Sequence, residues 1–457
     1  MPVSPARSAA YHVLRRVDAG RGFAVDLLQG DVMSRMKDAD RRLATEIVMG
    51  VLRWRGELNF QIERASGRGI GSLDPEVISI LQMGVYQIRF LERIPKPAVV
   101  NDAVELTKAA HKRSAAGLVN AVLRKVQRPR QQPGSIAFEE WNEEGREAIK
   151  RALPAWLLER WTARSWLQGA RSGSETSLRL AWESTRVPPT TLCVASADAA
   201  HQTALLDELA REGVVCSPGE WGRSAWTVKS GNVSASRAFR EGEVAIQDEG
   251  SQLVAELVAP GPGQRVLDLC AAPGMKSALL AQSMGHGHLV VCDVSASRLR
   301  TLAKLLPSRI PSGVHLHTTR LDATRSLPFG VRFDRILLDA PCSGTGTLAR
   351  NPEIKWRLAP RDLVRLAEAQ KDMLRNALPL LAEGGRLVYA TCSLEPEENE
   401  AVVEAVLSQN AGFRRLTGLS KDFPKLSALF DSQGYFRTRP DLHHMDGFFA
   451  AVLVRDA

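Results

Sequence analysis

The chain has 457 residues, of which 44% are hydrophobic and 24% charged, a composition typical of a soluble globular protein with two or three domains. No apolar run approaches the roughly 20 residues of a membrane span, and the first residues lack a signal-peptide core. We therefore expect a cytoplasmic protein with no membrane partner. A net charge of +9 favours a polyanionic partner, with nucleic acid first.

The six cysteines contain no CxxC pair, which argues against a structural zinc site, and no metal is expected. In a reducing compartment they should be free thiols. Any special cysteine in this chain must therefore be special as a thiol.

Residues 1–130 are predicted to form an all-helical domain. Apolar residues recur at three- and four-residue steps in DRRLATEIVMGVLRWRGELNFQIERA and in PEVISILQMGVYQIRFL, as on one face of a helix. No acidic residue lies between His111 and Phe138. The basic residues there form either an RNA contact, with Arg124 and Lys125 as its candidates, or a solvated helix end; they are Lys112, Arg113, Arg124, Lys125, Arg128 and Arg130.

The rest of the chain changes pattern twice. A linker rich in Pro, Gln, Gly and acids, RPRQQPGSIAFEEWNEEG, precedes residues 150–238, which mix helices with short strands and predict a small α+β domain. In residues 239–457, five apolar, β-rich runs alternate with helical segments. That alternation predicts a doubly wound α/β domain with a mostly parallel sheet, which binds ligands beyond the carboxyl ends of its strands.

The first strand of this domain leads into LDLCAAPGMKSALLA, Leu267–Ala281. Small residues before a helix let backbone amides and the helix N-terminus approach a ligand, although a plain strand-to-helix turn competes with this interpretation. The next strand ends in Asp293, placed like an acid that binds ribose hydroxyls. Asp322, after the third strand, could meet an adenine. NAD and S-adenosylmethionine both suit this arrangement, but GxGxxG is absent, so methylation is favoured.

Two cysteines end the next two strands. The fourth strand runs into DAPCSGTG, with Asp339 and Cys342, and the fifth strand delivers Cys392 in YATCSLEPEENE. One such cysteine is usually a packing residue. Two of them, each just past a strand end and each followed by serine, indicate a shared crevice.

This pairing suits methylation of carbon 5 of cytosine, a poor nucleophile. Addition of a thiolate to carbon 6 makes carbon 5 nucleophilic, and a carboxyl group hydrogen-bonded to N3 lowers the barrier. A base then removes the proton on carbon 5 and the thiol leaves. Methylation of an exocyclic amine needs no cysteine and usually uses an Asn/Asp-Pro-Pro-aromatic loop instead of DAPC.

The motifs DLCAAPGMKS, DAPCSGTG and YATCSLEPEENE resemble those of the NOL1/NOP2/Sun family of RNA cytosine-C5 methyltransferases. VAIQDEGSQLVAELV, RNPEIKW and DGFFAAVLVR are also similar to that family. The helical N-terminal region resembles the NusB-like RNA-binding domain of the bacterial Sun/RsmB branch, which methylates 16S ribosomal RNA. The resemblance implies a NusB-like domain over 1–130, an RRM-like α+β domain contacting RNA over 150–238 and a Rossmann-like methyltransferase domain over 239–457.

The resemblance also implies roles for single residues. Cys392 is the expected nucleophile, Cys342 is expected to assist release of the methylated product, and Asp339 to contact the cytosine. The expected S-adenosylmethionine site consists of Cys270, Ala271, Ala272, Pro273, Gly274, Met275 and Lys276, with Asp293, Arg298, Asp322 and Asp339. The chain departs from the family pattern at three positions, which are Met275 for glycine, Ser277 for threonine and Asn351 for histidine.

The expected partner is 16S ribosomal RNA, free or in a partial small subunit, and the protein is expected to be a monomer. Lys276 is expected to approach the RNA, and Arg350, Lys355 and Trp356 are candidates to hold phosphate and stack a base, with a solvated loop as the alternative. Two other functions stay open. They are the same chemistry on tRNA, and a non-catalytic RNA-binding assembly factor, against which the two intact cysteines argue.

Overall fold

The computed structural model of the protein describes residues 3–127, 138–164, 172–194, 196 and 198–456. The chain divides into two compact units, Met1–Val187 with Leu348–Leu358, and Pro188–Thr347 with Ala359–Ala457. Among the described residues, no helix has both the length and the apolar character needed to cross a membrane.

The first unit is helical, and its longest helix shows how the sequence sets the ends. Asp38 and Asp40 lie in the first turn of this helix, where negative charge favours the helix dipole, and Gly67 ends it at φ +70°. The helices are α1 (Pro5–Asp18), α2 (Ala24–Leu28), α3 (Asp31–Ser34), α4 (Asp38–Ser66), α5 (Pro75–Phe90), α6 (Lys96–Ala109), α7 (Ala116–Lys125), α8 (Glu143–Arg151), α9 (Ala155–Ala163) and α10 (Gly173–Glu183).

A segment from much later in the chain completes this helical unit. Leu348–Leu358 contains a one-turn helix, α16 (Ile354–Arg357). The indole Nε1 of Trp356 donates a hydrogen bond to the Leu52 carbonyl oxygen at 2.7 Å. At Gly56, one turn further along α4, a Cβ atom would lie only 3.1 Å from the Trp356 ring. The segment is therefore part of the interior of the helical unit.

The second unit contains two sheets. The smaller sheet is antiparallel, in the order β2-β3-β1-β4, and helices α11 (Ala199–Arg211) and α12 (Arg237–Arg240) belong to the same region. Its apolar core includes Leu192, Val194, Leu205 and Leu209. The strands are β1 (Thr191–Val194), β2 (Val215–Pro218), β3 (Ala225–Ser230) and β4 (Val244–Ile246).

The structure divides the predicted domain of residues 150–238 differently from the prediction. Its helices up to α10 belong to the helical unit, whereas its strands belong to the second unit. The small sheet also continues beyond residue 238, because β4 pairs with β1 through the register Leu192↔Ile246. The α+β character is present, but the boundaries at 150 and 238 do not coincide with those of the compact units.

The larger sheet has the order β10-β12-β9-β8-β5-β6-β7, and β11 pairs with β12 outside this path. The strands from β9 to β7 are parallel, whereas β12 is antiparallel to β9 and β10. The strands are β5 (Arg265–Asp268), β6 (His286–Asp293), β7 (Gly313–Arg320), β8 (Phe333–Asp339), β9 (Leu381–Thr391), β10 (Phe413–Arg415), β11 (Phe436–Arg437) and β12 (Phe449–Arg455).

Both faces of this sheet are buried, as expected for parallel strands with apolar runs. Successive residues of one strand enter opposite cores: Val266 lies in one cluster with Ala278, and Leu267 in the other with Leu374. The remaining helices are α13 (Glu249–Val258), α14 (Met275–Met284), α15 (Ala296–Leu305), α17 (Pro360–Ala377), α18 (Glu400–Leu407), α19 (Leu419–Asp422) and α20 (Pro440–His443). The result is a sheet between two layers of helices.

Candidate active site

The strand order places a crevice at the carboxyl end of β5. After β5 the chain adds β6 and β7 on one side of it, and then places β8 and β9 on the other side. The strand order therefore reverses at β5, and ligands bind at such switch points. The loop after β5 ends at Gly274, whose φ of +104° favours glycine, and α14 begins at the next residue. A Cβ atom on Gly274 would lie 3.3 Å from Leu302. The predicted cofactor loop, Cys270–Lys276, therefore lies at this crevice.

Two buried carboxylates stand at the ends of β5 and β6. Asp268 is 1% exposed, and burial raises its pKa to about 7. Its Oδ2 accepts a hydrogen bond from Ser277 Oγ at 2.7 Å, whereas its Oδ1 has no hydrogen-bond partner among the described residues. Asp293 Oδ1 accepts from the Ser295 backbone N–H at 2.8 Å and lies 3.3 Å from an Arg298 nitrogen. An orphaned buried oxygen beside a glycine turn fits a ligand with hydrogen-bond donors.

Asp322 and Met275 are held by neighbours in the second unit. Both the backbone N–H and the hydroxyl of Thr324 donate to Asp322, and these bonds lower the pKa of that carboxyl. The Met275 sulfur lies 2.7 Å from an Arg309 nitrogen. Asp322 lies two residues beyond β7, at the same edge as Asp268. Met275, which stands where the family usually has glycine, is therefore in contact with Arg309.

Lys276 and Asp339 form an ion pair at the end of β8. Lys276 Nζ lies 2.8 Å from Asp339 Oδ2 and 5.3 Å from the centre of the Phe448 ring. Burial opposes the charge on Lys276, but the attraction of Asp339 outweighs it and the pKa of the ammonium is raised. Cys392 also contributes to that rise, so the ammonium and a Cys392 thiolate attract each other.

The two thiols predicted to share a crevice are adjacent. Strands β8 and β9 are parallel neighbours, with Asp339 opposite Ala390. Cys342 follows the first strand and Cys392 the second, and their sulfur atoms lie 3.2 Å apart as free thiols. The hydrogen bond to Cys392, assisted by burial, raises the pKa of Cys342 well above its usual value. Cys342 is therefore a member of the pair that resists ionisation.

A buried network that the sequence analysis missed lies behind the two thiols. Glu398 is fully buried, and its carboxylate accepts hydrogen bonds from residues in both cysteine loops, namely Ser343 and Ser393. The sequence did carry a signal, since each cysteine is followed by serine. Without strand order, nothing tied those serines to an acid further along the chain.

The predicted RNA contacts near the active loop need correction. Lys355 is 1% exposed, and its Nζ donates to the Arg53 carbonyl oxygen at 2.8 Å and to Ser184 Oγ at 3.3 Å. Trp356 is half-buried and bonded through its indole nitrogen. The prediction of Lys355 as a phosphate contact is therefore wrong, because its buried ammonium donates its hydrogen bonds within the helical unit. Arg350, in the same segment, is half-buried.

Some of the basic residues predicted to contact RNA in the helical unit are exposed, and another forms an ion pair within the unit. Arg124 and Lys125, the candidate RNA contacts at the end of α7, are exposed. Lys112 instead forms an ion pair with Asp74 at 3.0 Å. Arg128 and Arg130 lie outside the described residues.

Two family models match this chain. The model described as 16S rRNA methyltransferase RsmB/F matches residues 255–454, and the NusB family model matches residues 4–128. A probable ribosomal RNA small subunit methyltransferase B of Bacillus subtilis is 32% identical over 454 residues, 98% of each chain. The ribosomal RNA small subunit methyltransferase B of Pseudomonas putida is 32% identical over 459 residues, 99% of this chain and 98% of the relative.

A solved structure extends the likeness to the fold. The crystal structure of PH0851 has a TM-score of 0.79 at 23% identity and covers 100% of both chains. At that identity the match concerns architecture alone. It includes the helical region as well as the sheet, since the whole length is aligned.

Proposed function

Because the chain belongs to the RsmB/F family of 16S rRNA methyltransferases, we propose that it methylates carbon 5 of a cytosine in small-subunit ribosomal RNA through a covalent cysteine adduct. The family membership and the fold class predicted from the sequence are confirmed, with a helical NusB domain and a Rossmann-like methyltransferase domain. The protein is an S-adenosylmethionine-dependent rRNA methyltransferase. The choice of base and carbon atom is the proposal.

The observation that carries the proposal is the 3.2 Å contact between Cys342 and Cys392 sulfur atoms. Transfer of a methyl group to an exocyclic amine needs no thiol, whereas carbon 5 of cytosine must first be activated by addition at carbon 6. Two thiols at one strand edge serve addition and release. We assign addition to Cys392, because the Lys276 ammonium attracts a thiolate at that position and because the pKa of Cys342, raised well above its usual value, makes Cys342 the poorer nucleophile.

The role of Cys342 follows from what happens to its neighbour. Once Cys392 is bonded to carbon 6, it carries no negative charge, and its contribution to the raised pKa of Cys342, the largest one, disappears. Cys342 then releases its proton to solvent, and after methyl transfer its thiolate is the base that accepts the proton from carbon 5. Loss of that proton expels Cys392 and restores the aromatic ring, so the same pair returns to its starting state.

Asp339 and Lys276 contact the cytosine in this proposal. The ion pair lies at the end of β8, and a hydrogen bond donated by the Lys276 ammonium to N3 withdraws electrons from the ring and favours thiolate addition, while Asp339 orients that ammonium. The target base has to leave its stack to reach this crevice. The exposed Arg124 and Lys125 are proposed to hold the RNA backbone at the helical unit.

The residues around the β5 turn fit the cofactor. The orphaned Asp268 oxygen and the glycine turn at Gly274 accept a polar ligand at close range, and Asp293 and Asp322 supply acceptors at the ends of neighbouring strands. When bound there, S-adenosylmethionine supplies an electrophilic methyl group. The chain's own residues hold it, orient the base and move the protons.

The test replaces each thiol by alanine and assays methyl transfer to 16S rRNA or a partial small subunit. Cys392→Ala should abolish both methyl transfer and the covalent complex, whereas Cys342→Ala should accumulate protein bound to RNA. Cys216→Ala, at a half-buried free thiol in the small sheet, is the matched control and should behave like the unaltered protein. Full activity of Cys392→Ala would sink the mechanism.

The same preparation identifies the substrate. Bisulfite sequencing of ribosomal RNA and tRNA made with and without the protein should show one protected cytosine in 16S rRNA that is absent with Cys392→Ala. If the protected cytosine appears in tRNA and not in 16S rRNA, the substrate part of the proposal is wrong and the chemistry stands.

A further inference from the structure

Glu398 is a fully buried carboxylate six residues beyond Cys392. Its Oε1 accepts hydrogen bonds from the Ser343 backbone N–H at 2.8 Å and from Gln370 Nε2 at 3.0 Å. Its Oε2 accepts from Ser393 Oγ at 2.6 Å and from Ser343 Oγ. All four contacts suit a carboxylate that only accepts, so the arrangement calls for the ionised form.

Three of the four donated hydrogen bonds come from the two loops that carry the thiols, and the fourth comes from Gln370 on α17. Ser343 directly follows Cys342, and Ser393 directly follows Cys392. Their hydroxyl oxygens lie 3.0 Å apart. The carboxylate therefore bridges the two cysteine loops at their next residue, one peptide unit from each thiol.

Glu398 is itself held from several sides. The Tyr389 hydroxyl donates to the Glu398 carbonyl oxygen at 2.5 Å. Next to it, Asn399 Nδ2 donates to the Ser393 carbonyl oxygen at 2.9 Å, and Thr391 Oγ1 donates to Asn399 Oδ1 at 2.5 Å. The carboxylate is thus fixed to strand β9, and the loop of Cys342 is positioned against it.

We propose that Glu398 is a positioning residue that ties the Cys342 loop to the Cys392 loop through Ser343 and Ser393 and keeps the two thiols unequal. The inference rests on the proposed function, since it concerns the same two thiols. Glu398 touches neither sulfur in this network and acts through the serines and through its charge.

The energetics agree with a functional role. Burial raises the pKa of Glu398 although its hydrogen bonds oppose that rise. A carboxyl group with a raised folded-state pKa stabilises the fold below its unfolded pKa and loses that contribution as pH rises. Ionisation of the buried carboxyl therefore costs stability. The same negative charge contributes to the raised pKa of Cys342, so it helps to keep that thiol protonated.

A purely structural role for Glu398 is the competing interpretation, and two variants separate it from the proposal. Glu398→Ala removes all four hydrogen bonds. Glu398→Gln removes the charge and preserves the fold, because its amide can still accept from Ser343 N–H while the serine hydroxyls rotate to accept from it. Glu400→Gln is the matched control: Glu400 lies two residues on and forms an ion pair with Arg437 at 2.8 Å.

The first readout is methyl transfer by the full-length protein. Glu398→Ala should lower the rate about 100-fold, the scale of a lost preorganising contact, while binding of S-adenosylmethionine is unchanged. Glu400→Gln should retain full activity. A fall in cofactor affinity equal to the fall in rate would instead indicate general disruption and would count against the proposal.

The second readout is the reactivity of each thiol as a function of pH, which a purely structural role of Glu398 would not change. Iodoacetamide alkylation of the peptides containing Cys342 and Cys392 is followed by mass spectrometry from pH 6 to 10. Without the charge in Glu398→Gln, alkylation of Cys342 near neutral pH should rise about threefold to tenfold, because reactivity follows the thiolate fraction. Glu400→Gln should reproduce the original profile.

The proposal is overturned if Glu398→Gln keeps the original alkylation profile or if folded Glu398→Ala keeps the original rate. Should Glu398→Ala fail to fold, the Glu398→Gln profile decides. Activity in Cys392→Ala would instead overturn the proposed function, whatever Glu398 does. An inactive Cys392→Ala with an original profile in Glu398→Gln defeats only this inference.

Discussion

Two lysines, one in each unit, stand in opposite electrostatic settings, Lys276 partly buried and Lys355 fully buried. Lys276 lies at the sheet edge beside Asp339, and the attraction of that acid raises its pKa despite burial. Lys355 lies in the late segment of the helical unit, where burial together with Arg53 and Arg55 lowers its pKa well below the usual value. One ammonium is paired with an acid. The other is bonded to a carbonyl and a hydroxyl.

The difference separates a charge that suits the proposed chemistry from a charged residue used as an anchor. A buried cation beside a carboxylate in a crevice is a candidate for action on a ligand. A buried lysine without an acid has a strong tendency to lose its proton, and its long side chain then serves packing and hydrogen bonding. Both lysines lie close to sequence motifs of the same family, so proximity to a motif did not distinguish them.

The largest effect that would sharpen this contrast is expected at Lys276. Lys276→Met should lower methyl transfer about 100-fold or more, because it removes a preorganised charge from the crevice. Thermal unfolding should change little in comparison. Lys304→Met, at an exposed lysine of α15, is the control in the same unit and should keep full activity. Equal activities of the two variants would remove Lys276 from the proposed site.

A smaller effect is expected at Lys355, and it concerns stability. Because the folded-state pKa lies below the unfolded value near 10.5, the folded protein binds fewer protons and stability rises with pH between the two values. Lys355→Met should lack this pH-dependent increase in the free energy of unfolding, which has an upper limit of about 1.4 kcal/mol per pH unit.

The measurement for Lys355 is the thermal unfolding midpoint at pH 7 and pH 9. Between pH 7 and pH 9, the unfolding midpoint of the unaltered protein should rise relative to that of Lys355→Met. Lys150→Met, at a half-exposed lysine of the same unit paired with Glu147, should track the unaltered protein. A constant gap between the unaltered protein and Lys355→Met would contradict the lowered pKa.

The smallest effect is expected on RNA affinity. Arg124 is exposed at the end of α7, so Arg124→Ala should reduce the slope of log affinity against log salt by about 1. Lys355→Met should leave that slope unchanged, because its ammonium is occupied inside the protein. Filter binding at several salt concentrations tests both variants together. A reduced slope for Lys355→Met would break the distinction between anchor and contact.

Much of the site was predictable because strand ends are readable in a sequence. Short apolar runs located β5, β6, β8 and β9, and polar residues at the carboxyl ends of β6, β8 and β9 gave Asp293, Asp339 and Cys392, whereas Asp268 at the end of β5 was not singled out. Parallel neighbours bring such ends to one edge. The adjacency of the two thiols followed once β8 and β9 were taken as neighbours.

What was missed depends on contacts between distant parts of the chain. Burial of Lys355 cannot be inferred from RNPEIKW, because its partners, Arg53 and Ser184, are far away in sequence. The bridge from Glu398 to Ser343 spans the helices α16 and α17 and the strand β9. Periodicity describes local faces and is silent on such pairings.

The late segment of the helical unit has a consequence for the order of synthesis. Residues up to 187 leave the ribosome first, yet Leu348–Leu358 belongs to the same compact unit. At about 5–20 residues per second, residues 188–347 take about 10–30 s to make. During that interval the Leu52 carbonyl has no Trp356 to bind. The helical unit is begun first and completed late, and a fragment ending at residue 187 would lack part of its own interior.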